Sequence, residues 1–483
     1  MSLSVPTKMV KNTSSSMTSN DSNHPSKTII GISTPVGTGA ICIVRISGKQ
    51  ALPITLSLSK RDFLKPRYAT LSFIYDEANR PIDEAILLYF KAPHSYSGED
   101  ICEIQCHGGV LIGKTIIQRA LDLGATLARP GEFTKRAFLN GKLDFAQAQA
   151  ICALINSQST HANEILLRQL RGELSEFVAQ VRAELIEILA YSEVSIDYSE
   201  ELESSTSMLL SQKLLALRHK LAVLHEDSKH RQGVIEGFRI CIIGKPNVGK
   251  SSLLNALLAS PRAITSSIPG TTRDIIEESL SVGGQIVRLV DTAGIRDSYD
   301  EIEQIGIQRS YLMLDSANII LALFDSSAPL TSEDRTILDI LSAQRKAHIL
   351  LLLTKADISR DSSPLLEDFS HPLLLSQKPL KISATHGKQE EFSEFNPQQI
   401  FTLLEEFLST QHSFDGLMLT SSFQIGCVKR ALDSIDLART KLEELELFSF
   451  HINECINAIC AITEPFEHSQ MLDKMFSEFC LGK

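Results

Sequence analysis

No run in this 483-residue chain approaches the roughly 18 consecutive apolar residues that a membrane-spanning helix needs. Paired cysteines are missing too: the nine, at positions 42, 102, 106, 152, 241, 427, 455, 460 and 480, show no C-x-x-C spacing. An odd count without zinc-like pairs excludes a disulfide framework and points to free thiols in a reducing compartment, so a cytoplasmic location is expected. Cys102, Cys106 and His107 sit close together, but ligands from one strand fall short of a tetrahedral site. There is no excess of positive charge: 47 Lys and Arg stand against 58 Asp and Glu, a net charge of −11. Contact with nucleic acid must therefore come from a local basic patch or from a partner protein. The first 27 residues carry no acid before Asp21, no arginine and no apolar signal core. That excludes a secretory leader, argues against a transit peptide, and predicts a disordered extension.

What is present falls into blocks. At this length about two to four domains are expected, and 43% hydrophobic with 22% charged residues is ordinary for a soluble globular protein. Ala40–Ile46 follows a glycine turn and reads as a strand, as does Ala85–Phe90, with helical patterns after them. Residues 28–142 therefore predict a mixed α+β domain. From Ala146 the period becomes helical. Leu166, Leu170, Leu174, Phe177, Val181, Leu185 and Ile188 predict the apolar seam of one long helix, and Leu214, Leu217, Leu221 and Leu224 predict a second. Then Arg239–Ile243, Ile286–Val290, Ile319–Phe324 and Ile349–Leu353 form short apolar strands separated by helical stretches. That alternation predicts a parallel sheet covered on both faces. Beyond residue 405 helical patterning returns, with Leu432, Ile435, Leu442 and Leu445 on one face. The expected organisation is an α/β domain over 238–405 inserted into an all-α helical domain made of 143–237 and 406–483, whose helices pack as one bundle.

The chemistry is concentrated in the α/β segment. Gly244-Lys-Pro-Asn-Val-Gly-Lys-Ser251 follows a strand and opens the helical stretch Ser252–Leu258. Glycines let backbone N–H groups turn inward around phosphates, and the helix N-terminus adds positive potential. Gly244, Asn247, Val248, Gly249, Lys250 and Ser251 form the expected cradle. Lys250 would reach the β- and γ-phosphates, and the Ser251 hydroxyl would ligate Mg²⁺. Further signals follow in order. Ser266, Ser267, Ile268, Pro269, Gly270, Thr271 and Thr272 form a candidate switch segment, with Thr272 closing on Mg²⁺. Asp291, Thr292, Ala293 and Gly294 come after a strand, where Asp291 can hold Mg²⁺ through water and Gly294 can donate to the γ-phosphate. Thr354, Lys355 and Asp357 form the base-reading loop, and Asp357 can accept both guanine donors. Ser383, Ala384 and Thr385 complete the base cradle. A glycine-rich turn alone matches such a motif by chance; this ordered set implies a guanine-nucleotide hydrolase.

Two positions depart from the usual pattern. Guanine loops usually begin with Asn, and here Thr354 stands in that place. Asn mainly holds neighbouring loops together, so a hydroxyl partly substitutes, and weakened affinity without a switch to ATP is expected. Ras-like proteins place a water-orienting Gln directly after the Asp-Thr-Ala-Gly motif. Here Ile295 occupies that position and cannot serve.

Arg45-Ile-Ser-Gly48, Ser97-Gly-Glu-Asp100 with His107-Gly-Gly109, Arg129-Pro-Gly-Glu-Phe133, Arg136-Ala-Phe-Leu-Asn140, Lys142-Leu-Asp144 and the terminal Phe479-Cys-Leu-Gly-Lys483 are rarer than the nucleotide motifs. Through them the chain resembles the MnmE (TrmE) family of tRNA-modification GTPases from Thr28 to Lys483. The resemblance implies action at carbon 5 of the wobble uridine, position 34, of certain tRNAs. It implies a homodimer, a heterotetramer with the partner MnmG, and tRNA engaged mainly through that complex. A tetrahydrofolate derivative of the 5-formyl or 5,10-methylene type would give the one-carbon unit, and residues 28–142 would both bind it and dimerise. Arg45, Glu103, Lys142 and Lys483 match folate-contacting positions. The resemblance also implies activation by K⁺ as G domains dimerise, with Asn247, Ser266, the Ile268 carbonyl and Thr271 as ligands. It assigns water positioning to Glu303 in Asp300-Glu-Ile-Glu-Gln304. Read alone, Asn247 is a turn former, Glu303 a solvated acid, and the N-terminal residues a surface salt bridge. The competing reading is a regulatory switch GTPase of the ribosome-assembly type, which has no use for Arg45, Glu103, Lys142 and Lys483.

Overall fold

The computed structural model describes residues 27–35, 37–197, 203–260, 262–264, 278–289, 314, 317–344, 347–356, 379–382, 397–410, 416–465 and 476. By internal contacts the chain divides into two units: Met1–Leu143 with Glu467–Lys483, and Asp144–Phe466.

The first unit is built on strands β1 (Ile29–Ile32), β2 (Ile41–Ser47), β3 (Thr70–Tyr75), β4 (Pro81–Phe90), β5 (Ile101–His107) and β6 (Thr126–Leu127). They form one sheet in the order β3-β4-β5-β2-β1-β6, antiparallel except for the β1–β6 pair. Helices α1 (Ala51–Ser59), α2 (Val110–Asp122) and α3 (Glu132–Leu139) lie between and after the strands. Side chains alternate across a strand. In β2, Cys42, Val44 and Ile46 are buried in the core shared with α1 and α2, so Arg45 points to the opposite face. Phe476, in the terminal stretch, is buried with its ring 6.1 Å from that of Phe138 in α3.

The second unit begins with helices α4 (Phe145–Asn156), α5 (Thr160–Leu170), α6 (Glu173–Asp197), α7 (Glu203–His230) and α8 (Gln232–Glu236). The α/β segment follows: β7 (Phe238–Ile243), α9 (Lys250–Leu258), β8 (Ala263–Ile264), β9 (Glu278–Val282), β10 (Gln285–Leu289), β11 (Ile319–Asp325), α10 (Ser332–Ala343), β12 (His348–Thr354), β13 (Leu380–Lys381) and α11 (Pro397–Thr410). Helices α12 (Ser422–Thr440) and α13 (Leu445–Cys460) close the unit. Leu174, Leu185, Leu214 and Leu221 share one core with Val428, Ile435, Ile452 and Ile459, so helices before and after the α/β segment pack together.

Three expectations about elements need correction. The seam from Leu166 to Ile188 is not one helix: α5 ends and α6 begins at Gly172, which sits at φ +98. A left-handed residue cannot continue a right-handed helix. Leu442 and Leu445 do not extend the face of Leu432 and Ile435, because α12 stops at Thr440 and α13 starts at Leu445. Leu442 nevertheless packs against the same core from the turn, which is why its spacing mimics a helix. The sheet is mixed rather than parallel. Its order is β13-β12-β11-β7-β10-β9-β8, with neighbours parallel from β13 to β10 and antiparallel from β10 to β8. Gly283 and Gly284, at φ +58 and +78, make the tight β9–β10 turn that reverses the chain.

That hairpin meets α5. Thr160 N donates to the Gly284 carbonyl at 3.2 Å, and Ser159 Oγ donates to Gln285 Oε1 at 3.1 Å. Ile165 packs on the core beneath the sheet.

Candidate functional site

The loop between β7 and α9 has a backbone path that its residue types require. A Cβ on Gly244 would lie 2.7 Å from Val248 Cγ1 and 2.8 Å from the Leu323 carbonyl oxygen, so a side chain is excluded there. Asn247 and Gly249 turn through the left-handed region at φ +60 and +104, and Gly249 is the N-cap of α9. Val248 is buried and pins the loop to the core below, while Asn247 is exposed at the tip. Lys250 Nζ donates to the carbonyls of Gly244 at 2.7 Å and Lys245 at 2.8 Å, and burial holds its pKa below the ordinary lysine value. An ammonium so desolvated gains from an incoming phosphate. Ser251 follows in the exposed first turn of α9, beside N–H groups that have no partner within the helix.

Thr354 ends β12, and its hydroxyl lies 2.7 Å from the carbonyl oxygen of Val248, inside the phosphate loop. The same oxygen is 3.2 Å from the Phe324 carbonyl. A buried hydroxyl at the end of β12 thereby ties that strand to the loop between β7 and α9. Lys355 follows at φ +59, its ammonium 2.6 Å from Asp325 Oδ2 at the end of β11. Burial pushes the Asp325 carboxyl upward, but hydrogen bonds from Lys355 and Ser327 outweigh it and hold the pKa below the ordinary value. On the other side of the loop, Lys245 Nζ pairs with Asp334 Oδ2 at 2.7 Å. Asp334 is buried and also accepts from Thr331 at the start of α10. Sequence reasoning missed Asp325, Lys245 and Asp334. Thr331 and Asp334 form a capping box at the head of α10, a spacing that marks a helix start but not its link to the loop.

The N-terminal unit holds a second cluster. Arg45 and Glu103 are directly opposite in the β2–β5 register, and Arg45 Nε and Nη2 both lie 2.9 Å from Glu103 Oε1. Both bonds fall on one oxygen, which leaves Oε2 to other donors. The guanidinium lies 5.5 Å from the Tyr96 ring and 5.7 Å from that of Phe133. The Tyr96–Glu99 turn continues toward Lys142: a Cβ on Gly98 would lie 3.3 Å from Lys142 Cε and 3.1 Å from Asn140 Cβ. Glu99 Oε2 accepts from Ser47 Oγ at 2.8 Å and Arg136 Nη1 at 3.0 Å, which fixes the turn on the sheet. Arg45, Glu103 and Lys142, separated in sequence, thus border one turn. Tyr96, Phe133, Glu99 and Arg136 carry its geometry; the last three lie in motifs noted above without any role, and Tyr96 immediately precedes one of them.

Several expected site residues lie outside the described residues: Ser266, Ser267, Ile268, Pro269, Gly270, Thr271, Thr272, Asp291, Thr292, Ala293, Gly294, Glu303, Asp357, Ser383, Ala384, Thr385 and Lys483, together with Ile295 and most of the N-terminal extension. Among the described residues no His, Cys, Asp and Glu cluster is grouped to hold a metal, and no helix is long and apolar enough to cross a membrane.

Comparison with known proteins gives matches over both units. A family profile described as the GTP-binding protein TrmE N-terminus matches residues 28–142, and one described as the MnmE helical domain matches residues 145–480. The chain is 49% identical over 472 residues to the tRNA modification GTPase MnmE of Wolinella succinogenes, covering 97% of this chain and 100% of that protein. It is 46% identical to the protein of that name from Sulfurimonas denitrificans, covering 94% of this chain and 99% of the other. Among solved structures, Era in complex with MgGDPNP and nucleotides 1506-1542 of 16S ribosomal RNA matches at 21% identity and a TM-score of 0.27, over 41% of this chain and 67% of that one. The G domain of the T. maritima FeoB iron transporter matches at 22% identity and a TM-score of 0.24, over 35% and 98%.

Proposed function

The chain belongs to the MnmE family, and on that premise we propose that it hydrolyses GTP at the Gly244–Ser251 loop to drive modification of carbon 5 of the tRNA wobble uridine. Its four segments would be an extension over 1–27, a folate-binding and dimerising domain over 28–142, a helical domain from 143–237 and 406–483, and a G domain over 238–405. The observation that carries the nucleotide site is the buried hydrogen bond from Thr354 to the Val248 carbonyl, which joins the base-reading and phosphate loops.

The residues fit the groups the function needs. Lys250 would transfer its hydrogen bonds from loop carbonyls to the β- and γ-phosphates, its desolvation making that exchange favourable. Ser251 and Thr272 would hold Mg²⁺, which supplies charge neutralisation between the phosphates. Asn247, exposed at the loop tip, would hold K⁺ with Ser266, the Ile268 carbonyl and Thr271. That ion supplies the positive charge an arginine finger brings elsewhere. Glu303 would orient the attacking water in place of the Gln absent at Ile295. Asp357 would read guanine, with Ser383, Ala384 and Thr385 beneath the base.

In the N-terminal unit, the free Oε2 of Glu103 would accept pterin N–H donors while Lys142 and Lys483 meet the glutamate tail. The tetrahydrofolate supplies the one-carbon unit. The Arg45 guanidinium would keep Glu103 aligned for that contact. The protein would act as a homodimer with MnmG in the cytoplasm. A ribosome-assembly switch would leave the Arg45–Glu103 pair and its aromatic walls without a role.

The test is mass spectrometry of wobble uridines in tRNA from cells with and without this protein. Loss of the carbon-5 substituent is expected on deletion and its return on complementation. An unchanged nucleoside profile would reject the reading.

A further inference from the structure

We propose that the rim formed by Lys60–Tyr68 and edge strand β3 of the N-terminal unit binds a single-stranded stretch of RNA. The proposal rests on the tRNA reading above.

The segment between α1 and β3 reads Lys-Arg-Asp-Phe-Leu-Lys-Pro-Arg-Tyr, with four cations and one acid in a chain whose net charge is −11. It is irregular but well fastened. Leu64 is buried in the core, and Arg67 N donates to the Tyr89 carbonyl at 2.8 Å. Fastened this way, the segment turns its large rings outward: Phe63 is 69% and Tyr68 59% exposed, and Phe73 on the adjoining edge strand is 47% exposed. One cation lies at an exposed ring and two over half-buried rings nearby. Lys60 Nζ is 4.0 Å from the Tyr75 ring centroid, Lys65 Nζ 5.5 Å from that of Tyr68, and Arg67 Cζ 5.7 Å from that of Phe90.

Protection of an open sheet edge accounts for part of this. Arg61 donates to the Leu71 carbonyl at 2.7 Å and to Ser72 Oγ at 3.0 Å, and Arg67 donates to the His94 carbonyl at 2.7 Å. Those acceptors are neutral, so neither guanidinium meets a counter-charge in these bonds. Lys60 and Lys65 cover no edge group, and Phe63 and Tyr68 gain no burial from standing there. Among the described residues none of the four cations has an acid within ion-pair distance. The acid beside the far end of the strand, Asp76, is already held by Arg80.

Unpaired cations beside exposed flat rings match one chemistry closely: phosphates for the ammonium groups, unstacked bases for the rings. A duplex keeps its bases stacked and would leave Phe63 and Tyr68 unused, so a loop or end of an RNA is favoured. An anionic bilayer would accept the cations, but the segment forms no amphipathic helix to lie in a membrane surface.

The experiment uses the full chain, a fluorescently labelled tRNA transcript and a short oligouridine, with anisotropy read across a potassium chloride series. K60A/K65A should weaken binding of both probes and flatten the slope of log Kd against log salt by about 1.4, two contacts at roughly 0.7 each. F63A/Y68A should weaken binding about fivefold or more per ring with little change in slope. Both variants should keep the parent GTPase rate, because neither pair touches the nucleotide site. Unchanged RNA affinity in both variants would overturn the proposal, as would absence of RNA binding by the parent. So would a loss seen only in sedimentation with phosphatidylserine vesicles, or one that tracks a change in oligomeric mass. The wobble-uridine measurement reads separately, so either reading can fail alone.

Discussion

The role proposed for Thr354 rests on one hydroxyl. Its hydrogen bond to Val248 is buried, and removing the donor leaves a carbonyl in the phosphate loop short of a partner, at about 1–3 kcal/mol. T354V keeps the shape and removes the hydroxyl. It should weaken binding of a fluorescent GDP analogue about tenfold, within that range, mostly through faster release. ATP should remain a poor competitor; effective displacement by ATP would contradict the assignment of base reading to Asp357.

A second residue-scale effect concerns pH. His348 begins β12 and stacks on Phe407, ring centroids 4.4 Å apart. Burial lowers its pKa below 6.5. The unfolded chain then binds a proton that the folded chain resists. Stability is fully present above 6.5 and is lost as pH falls from there through the lowered folded value. Thermal melts should show that loss on the mildly acidic side, and H348Q should flatten it. A parallel pH profile in H348Q would locate the titration elsewhere.

At the scale of elements, ends and turns decide more than seams. Ser159 caps α5 by accepting from Ala162 N at 3.2 Å, and the same hydroxyl reaches Gln285 at the start of β10. One side chain therefore caps the start of α5 and fastens the hairpin of the inserted sheet. S159A should cost about 1 kcal/mol through the cap alone. A lower urea midpoint with unchanged m-value would report it; no shift would mean that the remaining Thr160–Gly284 bond suffices. Asp144 plays a similar part at α4, where it and Gln147 form a reciprocal capping box with bonds of 2.9 and 3.0 Å.

At the scale of the whole molecule, the proposed hydrolysis requires two G domains to meet and an ion to complete the charge. GTP turnover should be much faster in K⁺ than in equimolar Na⁺, as measured by phosphate release. Equal rates would count against Asn247 as an ion ligand. Glu303→Ala should keep nucleotide binding and lose turnover; an unchanged rate would remove Glu303 from the mechanism. Each is a comparison on the full chain, since the bundle and inserted sheet share one unit.

The sequence by itself determined whatever depends on local backbone geometry. The phosphate loop was legible because Gly244 and Gly249 stand where side chains meet backbone or the path turns left-handed. The four apolar runs read around it correspond to β7, β10, β11 and β12 with bounds that differ by a residue or two, whereas β8, β9 and β13 were not read. In the N-terminal unit β4 starts earlier than expected, at Pro81. Apolar spacing could not distinguish one helix from two, since it runs on across Gly172 although Leu166 and Leu170 pack in a different core from Leu174 and Leu185. Nor could it give strand direction, because β9 and β10 bury residues on the same pattern whichever way they run. Only the tertiary structure decided which distant groups meet. Arg45 finds Glu103 across the β2–β5 register, Lys245 finds Asp334 at the head of α10, and Thr354 finds Val248. Those pairings depend on side-chain direction and sheet order, which arise when buried apolar surface brings separate elements together, and no local pattern encodes them.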